Sequence, residues 1–366
     1  MEKQPGQMES MELNKSLWEG KRVFVTGHNG FKGSWMVLWL NLLGAKVYGF
    51  SLDPQKGPNF YVDSNIKDCL SEEKIGNIKN TLDLENSINE FKPEIIFHMA
   101  AQPLVRESYK NPLETYLVNV IGTLNLFEAA LKSDSVKVCI NITTDKCYEN
   151  FNKDKGYKEN DPLGGHDPYS SSKACSEILS SSYRRSFFNE KGIELATVRA
   201  GNVIGGGDWA EDRLIPDFIR SIDNKKKLII RAPESIRPWQ HVLDPLFGYL
   251  VLAEKLLLQK NKFNSSWNFG PNEEDPKSVS DILNYICKEW PESRWEKFSG
   301  KTPHEAKTLK LDISKSKSQL NWKPVLSIEK TLDYTIEWYK NWFINPNMKD
   351  VSIYQINKFT ESAKNE

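Results

Sequence analysis

The 366-residue sequence is short of several features that would fix its class at once. Cysteine is scarce: Cys69, Cys139, Cys147, Cys175 and Cys287 form no CxxC pair, and their odd number cannot all pair within the chain. A disulfide framework and a Cys-based zinc site are therefore poor readings. The histidines at 28, 98, 166, 241 and 304 fall at no metal-ligand spacing, so no metal is expected. Neither sign of charge dominates, because 49 Lys and Arg balance 49 Asp and Glu. That balance argues against a basic domain built for nucleic acid. Long hydrophobic runs are also missing. The stretches 95–101 and 246–253 are too short or too interrupted to span a bilayer, and the first residues carry no apolar run of the signal-peptide kind. The expectation is a soluble, cytoplasmic protein with neither membrane nor nucleic acid as partner.

What is present is an alternation. Residues 1–17 are polar and aperiodic, and read as a disordered leader. From Lys21 the pattern changes. Residues 22–26 (RVFVT) have the form of a buried strand, 30–43 that of an apolar helix stopped by Gly44, and 46–52 (KVYGFSL) that of a second strand. Strand, helix and strand with tight connections make a βαβ unit. The alternation continues with a helix ending at 87–91, a strand at 94–99, a helix at 117–131, a strand at 136–143, a helix at 169–187 and a strand at 194–200. The fold class is α/β: a Rossmann-type, doubly wound parallel sheet. After Gly201 the alternation gives way to Gly-, Pro- and Trp-rich loops, with two further helical patterns near 278–289 and 327–343. The expected division is a dinucleotide-binding domain at 18–200 and a smaller, loop-rich C-terminal region at 201–345. Strands of the latter are free to return to the main sheet, and a tail follows at 346–366.

Thr26-Gly27-His28-Asn29-Gly30-Phe31-Lys32-Gly33 fits GxxGxxG directly after a strand and at a helix start. Such a turn lets a pyrophosphate approach without Cβ atoms in the way, and the helix N-terminus offers its unpaired N–H groups to the anion. Gly27, Gly30, Phe31 and Gly33 are thus candidate cofactor contacts. An NAD site also calls for an acid near the end of the second strand to hold the ribose hydroxyls. Asp53 is the carboxylate available, while Ser51 stands closer to the strand end, and both remain candidates. No Arg follows that strand to hold a 2′-phosphate, although Lys56 is near, so NAD is favoured over NADP.

Tyr169-Ser170-Ser171-Ser172-Lys173 is a YxxxK pair, preceded by Asp167-Pro168. Residues four apart share a helix face, so phenol and ammonium can serve one spot. A cation about 4 Å from a phenol is worth a few kcal/mol at intermediate dielectric, so Lys173 is expected to bring the Tyr169 phenol down from about 10 towards neutrality. Tyr169 then becomes a usable base.

The glycine turn with this pair resembles the extended short-chain dehydrogenase/reductase superfamily, over essentially residues 18–340. On that resemblance Thr144, at the end of 142–148 (ITTDKCY), matches the catalytic Ser/Thr, and Ala100 and Ala101 in HMAAQ match a cofactor-contacting strand end. Within the superfamily the sequence is similar to the CDP-glucose 4,6-dehydratase family. The segments that carry this are GHNGFKGSW (27–35), FHMAAQPLVRESY (97–109), TTDKCYEN (143–150), RAGNVIGGGDWAEDRLIPD (199–217), RPWQHVLDP (237–245) and WNFGPNEED (267–275).

The resemblance implies an internal redox dehydration of CDP-glucose with NAD, on the way to deoxysugars of surface polysaccharides such as O-antigen. Tyr169 would take the proton of the sugar O4, with Lys173 and Thr144 orienting and polarising. Asp145 would protonate the departing C6 hydroxyl. In the dTDP- and GDP-sugar dehydratases the residue after this Asp is a Glu base, whereas here it is Lys146. Lys146 could be the C5 base if burial or a neighbouring cation made its amine neutral, and otherwise would stabilise the C5 carbanion or enolate. Arg213 and Arg237 are candidates for the nucleotide diphosphate, since a guanidinium fork matches phosphate oxygens. Asn202 resembles a sugar-nucleotide contact, Gln240 and His241 are placed in the same region, and His304-Glu305 near the ribose or base. A homodimer or homotetramer is expected, paired through helices of which one carries Tyr169 and Lys173. A 4-epimerase or reductase would need Tyr169 and Lys173 but no acid for C6, so Asp145 separates the readings. A non-catalytic dinucleotide sensor would have no use for the Tyr–Lys pair.

Overall fold

The computed structural model describes residues 11–153, 155–272, 277–300 and 309–365. Seven strands form the main sheet: β1 (Arg22–Thr26), β2 (Lys46–Ser51), β3 (Glu72–Ile75), β4 (Ile95–His98), β5 (Val138–Ile142), β6 (Glu194–Ala200) and β7 (Ser266–Phe269). Every pairing is parallel and the order is β7-β6-β5-β4-β1-β2-β3. The strands β4, β5 and β6 are buried along their whole length, because both faces of a parallel sheet are covered. Strand order reverses between β1 and β4, so a crevice opens there at the C-terminal strand ends.

Helices cover both faces. On one side α1 (Phe31–Leu42) packs beneath α5 (Leu243–Leu258) and α7 (Lys349–Lys364), with Trp39 stacked on Phe247 and met edge-on by Phe359. Residues 33–40 of α1 are all buried, because the sheet lies below them and two helices lie above. On the other side α2 (Thr81–Phe91) and α3 (Gly122–Lys132) enclose a second core that contains Phe24, Phe50, Ile88 and Phe127. The helix α4 (Pro168–Tyr183) runs beside α3, and a π turn at Leu117–Ile121 leads into α3.

The ends of the chain and the region 201–345 are joined to the sheet more firmly than their composition suggests. The leader is not loose over the part described. Met11 and Leu13 are buried, Lys15–Trp18 is a helical turn, and the Trp18 indole donates to Glu254 Oε1 at 2.6 Å. Four apolar side chains within eight residues suffice to fasten a segment whose composition looks polar. Residues 1–10 lie outside the described residues. The tail at 346–366 is also a helix over most of its length, α7, which buries Ser352, Ile356, Phe359 and Ala363 on one face. Finally, 201–345 has no separate core. Strand β7 joins the main sheet beside β6, and the all-round apolar α5 packs in the same core cluster as β1 and α1. Strand β3 (EEKI) went unseen because an exposed edge strand shows no apolar alternation.

Candidate active site

The crevice is built first by the glycine turn. Gly27 has φ +70°, and a Cβ there would stand 2.7 Å from the Ala100 nitrogen. At Gly33 a Cβ would meet the Gly27 carbonyl at 2.0 Å. These two glycines are demanded by the fold of the turn. Gly30, the N-cap of α1, is not, because a Cβ would touch only the Gly27 oxygen, at 3.4 Å. Its open side is where a pyrophosphate can approach the N-terminus of the 12-residue α1. Thr26 Oγ1 accepts from the Met99 and Ala100 amides, both at 3.1 Å, and thereby draws the end of β4 with Ala100 and Ala101 against the turn. Phe31 is half-buried on the core below. At the end of β2, Ser51 Oγ donates to Asn29 at 2.7 Å, while Asp53 stands exposed two residues further on.

The helix that carries the Tyr–Lys pair begins where the sequence indicates. Asp167 caps it, accepting from the Ser170 amide at 2.9 Å, and Pro168 occupies the first turn. Tyr169 and Lys173 are both buried. Lys173 Nζ donates to the carbonyl of Ile142 at 3.0 Å, which fastens α4 to the last residue of β5. Thr144, two residues beyond, hydrogen-bonds the Tyr169 phenol and donates to Asp145 Oδ1 at 3.0 Å.

The electrostatics differ from the sequence expectation. Burial pushes the Tyr169 phenol up to about 12, opposed by the Thr144 hydrogen bond and by Arg213. Lys173 does not offset this, because its ammonium points to Ile142, and burial pushes it down to about 8 against the pull of Glu177. At Tyr169 and Lys173 desolvation outweighs the pairwise attraction that YxxxK spacing suggests.

Asp145 is fully buried, its Oδ2 has no hydrogen-bond partner among the described residues, and burial holds its pKa above the usual carboxylate range. Lys146, Thr144, Lys32 and Arg237 each pull in the other direction without prevailing. The carboxyl fits beside the backbone only because residue 201 is glycine, where a Cβ would stand 2.0 Å from Oδ2. Lys146 itself is exposed, so the burial that would suit it to the base role is absent.

Two of the proposed substrate residues are not in the crevice. Gln240 is buried and uses its amide group on the carbonyls of Gly201 and Phe269, both at 3.0 Å. His241 is fully buried between Trp35 and Tyr334, and burial holds it neutral, down to about 3. Both brace the strand end after β6; the polar pair in RPWQHV resembled ligands only because sequence does not show which side chains are enclosed. Arg237, half-buried, does act on Asp145 by charge. Asn202 lies at the crevice edge with φ +45° and accepts from the Gln240 amide. Arg213 is held by Asp208 at 2.8 Å, with its charge felt by Tyr169 and Lys32, nearer the reacting end than a diphosphate role suggests. His304 and Glu305 lie outside the described residues.

Two residues of the glycine turn were missed. Lys32 faces Arg213, Asp145, Lys173 and Asp208, and is pushed down to about 8 chiefly by burial. His28 is buried, packs on Gly49 and meets Glu73 Oε1 at 2.7 Å, tying the turn to β3. Among the described residues no group of His, Cys, Asp and Glu could hold a metal.

A doubly wound sheet with a glycine turn, a buried Tyr–Lys pair and a strand-end Thr defines an extended short-chain dehydrogenase/reductase. A further acid, Asp145, sits in the same pocket. The chain belongs to the GDP-mannose 4,6-dehydratase family, whose model matches residues 24–335. It is 50% identical to CDP-glucose 4,6-dehydratase of Salmonella typhimurium over 96% of this chain and 99% of that one. It is 27% identical to dTDP-glucose 4,6-dehydratase of Haemophilus influenzae over 70% of this chain and 79% of that one. Among solved structures, an epimerase from Methanothermobacter thermautotrophicus superposes with TM-score 0.78 at 21% identity, covering 93% of this chain and 98% of that one. The dTDP-glucose 4,6-dehydratase of Bacillus anthracis in complex with NAD gives 0.72 at 24%, covering 88% and 97%. These structural likenesses speak for the fold.

Replacing Gly201 with Ala tests the fit of Asp145. The added methyl must displace the carboxyl, so turnover is expected to fall about a hundredfold or more, with dinucleotide affinity within about threefold of the parent. Isothermal titration and product assay read the two separately.

Proposed function

We propose that this chain dehydrates CDP-glucose to CDP-4-dehydro-6-deoxy-D-glucose and water, with NAD as its dinucleotide. The observation that carries the substrate is the 50% identity along nearly the whole length of both chains with the Salmonella enzyme. The geometry supports the reaction type, because a buried Asp145, its affinity for a proton raised by burial, shares the pocket with Tyr169. The turn fits a dinucleotide: Gly27, Gly30, Phe31 and Gly33 would meet its pyrophosphate, Asp53 or Ser51 its adenosine ribose, and Ala100, Ala101, Tyr169 and Lys173 its nicotinamide half. NAD, when bound, supplies the hydride acceptor for C4 and the hydride returned to C6.

Tyr169 acts as its phenolate, which the Thr144 hydrogen bond and the Arg213 charge favour, and takes the proton of the C4 hydroxyl. Thr144, hydrogen-bonded to the phenol, fixes its direction. Lys173 braces α4 on the Ile142 carbonyl and offers its charge to the nicotinamide half of the dinucleotide. Oxidation makes C4 a ketone, which acidifies the hydrogen on C5. That proton passes to solvent at the exposed Lys146 side of the crevice while Asp145 delivers its own to the C6 hydroxyl, the C6–O bond breaks to release water, and once hydride has reached C6 a solvent proton adds back to C5. Burial suits Asp145 to this step by keeping its carboxyl protonated further up the pH scale. Lys146, adjacent and exposed, offers its charge to the enolate oxygen that forms. Arg237 is left for the diphosphate end, Arg213, whose charge reaches Tyr169, serves the reacting end, and Asn202 meets the sugar.

We further infer that two copies pair through the helices at 105–132 and α4. Tyr109, Leu113 and Ile121 on the first run, Ile178 on α4 and Phe187 in the π turn that continues it are exposed, and these helices lie side by side. Light scattering is expected to give twice or four times the chain mass, and Leu113→Glu with Ile178→Glu to give the monomer. Monomeric parent protein would refute the pairing.

The reaction is tested by mass spectrometry of the product from CDP-glucose in deuterated water. The expected product has lost one water, gained one deuterium at C5 and left no net reduced NAD. An isomer of unchanged formula would make the protein an epimerase.

A further inference from the structure

One turn beyond Lys173 on α4 lies a carboxylate that the chemistry above does not use. Glu177 is buried and is surrounded by donors from every neighbouring element. Arg199 of β6 grips it with two prongs, Nε to Oε1 at 2.9 Å and Nη2 to Oε2 at 2.7 Å. Thr197 of β6 donates at 2.7 Å and Ser266 of β7 at 3.3 Å. Thr143, the residue before Thr144, donates from the end of β5. The remaining arm of Arg199 reaches the Tyr148 hydroxyl at 2.7 Å, just after the Asp145-Lys146 dipeptide. One ion pair thus joins the helix that carries Tyr169 and Lys173 to both sides of the segment that carries Thr144 and Asp145.

We propose that Glu177, gripped by Arg199, is a positioning residue that sets the height of the Tyr169–Lys173 helix against Thr144 and Asp145 and keeps a fixed negative charge beneath Lys173. The redox pair and the elimination acid belong to different elements, so their separation depends on whatever locks those elements together. A fixed pair with three further donors is well suited to that, since misplacement by about 1 Å costs on the order of a hundredfold in rate. The charge matters as well as the geometry. Lys173 is pressed towards its neutral form by burial and held charged by Glu177. The other groups facing Lys173 are His98 of β4, Cys147 and Lys32. Burial favours the neutral forms of His98 and Cys147, and Lys32 is a like charge, so Glu177 is the strongest of these influences in favour of the ammonium. Glu177 itself is held ionised, down to about 2, by Arg199 with the Thr143 and Thr197 hydrogen bonds overcoming its burial. Arg184, on the continuation of α4, adds a further cation on its other side.

This inference rests on the dehydratase reading, so the assay uses whichever nucleotide sugar the parent protein turns over, and a parent inactive on CDP-glucose bears on that reading alone. In Glu177→Gln the shape and several acceptors remain but the charge is lost. The ammonium of Lys173 then gives up its proton at lower pH, so the falling, high-pH limb of the kcat profile is expected to move down by about one unit. At the pH optimum kcat should fall tenfold or more while KM stays within about threefold, and Glu177→Asp should restore the limb. An unmoved limb with kcat following only the folded fraction would overturn the proposal. Should Glu177→Gln fail to fold, Thr143→Val decides, because it leaves the ion pair and removes the tie to the strand end. Here kcat should drop several-fold with the limb in place, and parental activity would overturn the positioning role.

Discussion

Desolvation of the Asp145 carboxyl is the constraint on which the active site depends. Four positive or donating groups surround it, and any one of them at the surface would lower its affinity for a proton. Burial outweighs all of them together. The pocket in which this happens exists because residue 201 has no side chain and because Thr144 bridges the carboxyl to Tyr169. The same force acts on the neighbours: Tyr169 is raised, while Lys173 and Lys32 are lowered. A crevice that penalises isolated charge raises the affinity of Asp145 for its proton, which favours holding it until the substrate's own developing charge calls for it. That is the condition an elimination step needs, and an enzyme that only oxidises and reduces C4 does not.

The scaffold serves this pocket by bringing distant segments to one edge of the sheet. The strand ends of β1, β4, β5 and β6 supply the floor. The C-terminal chain supplies the wall, because Tyr339 of α6 (Ile328–Ile344) donates to the Asp208 carbonyl at 2.6 Å, and Asp208 in turn holds Arg213 over Tyr169. Trp338 leaves no room for a Cβ at Gly206 and Phe60 leaves none at Gly207, so the GGGDW loop is fixed from behind. The region after residue 200 is therefore part of the dinucleotide fold's own core as well as its substrate edge.

Most of the sheet was legible in the sequence. Runs such as VKVCINIT and ELATVRA are buried on both faces, and their ends fell within two residues of the observed strands. The glycine turn and the Tyr–Lys helix were legible for a related reason, since caps and φ > 0 positions carry fixed residue signatures. What could not be read was enclosure. Gln240 and His241 look like ligands until Trp35, Tyr334 and Phe269 close round them. Met11 and Phe359 look peripheral until α5 and α1 are in place. Nor could spacing show where the Lys173 ammonium points, and its bond to Ile142 changes the electrostatic account of Tyr169.

The most direct measurement is a single turnover of Asp145→Asn with CDP-glucose, following reduced-nicotinamide absorbance and product mass together. If Asp145 is the acid for C6 and nothing else, C4 oxidation proceeds, the reduced cofactor accumulates, and loss of water slows by a factor on the order of a hundred or more. Dehydration at the parental rate, or failure of C4 oxidation in a folded variant that still binds NAD, would contradict the assignment.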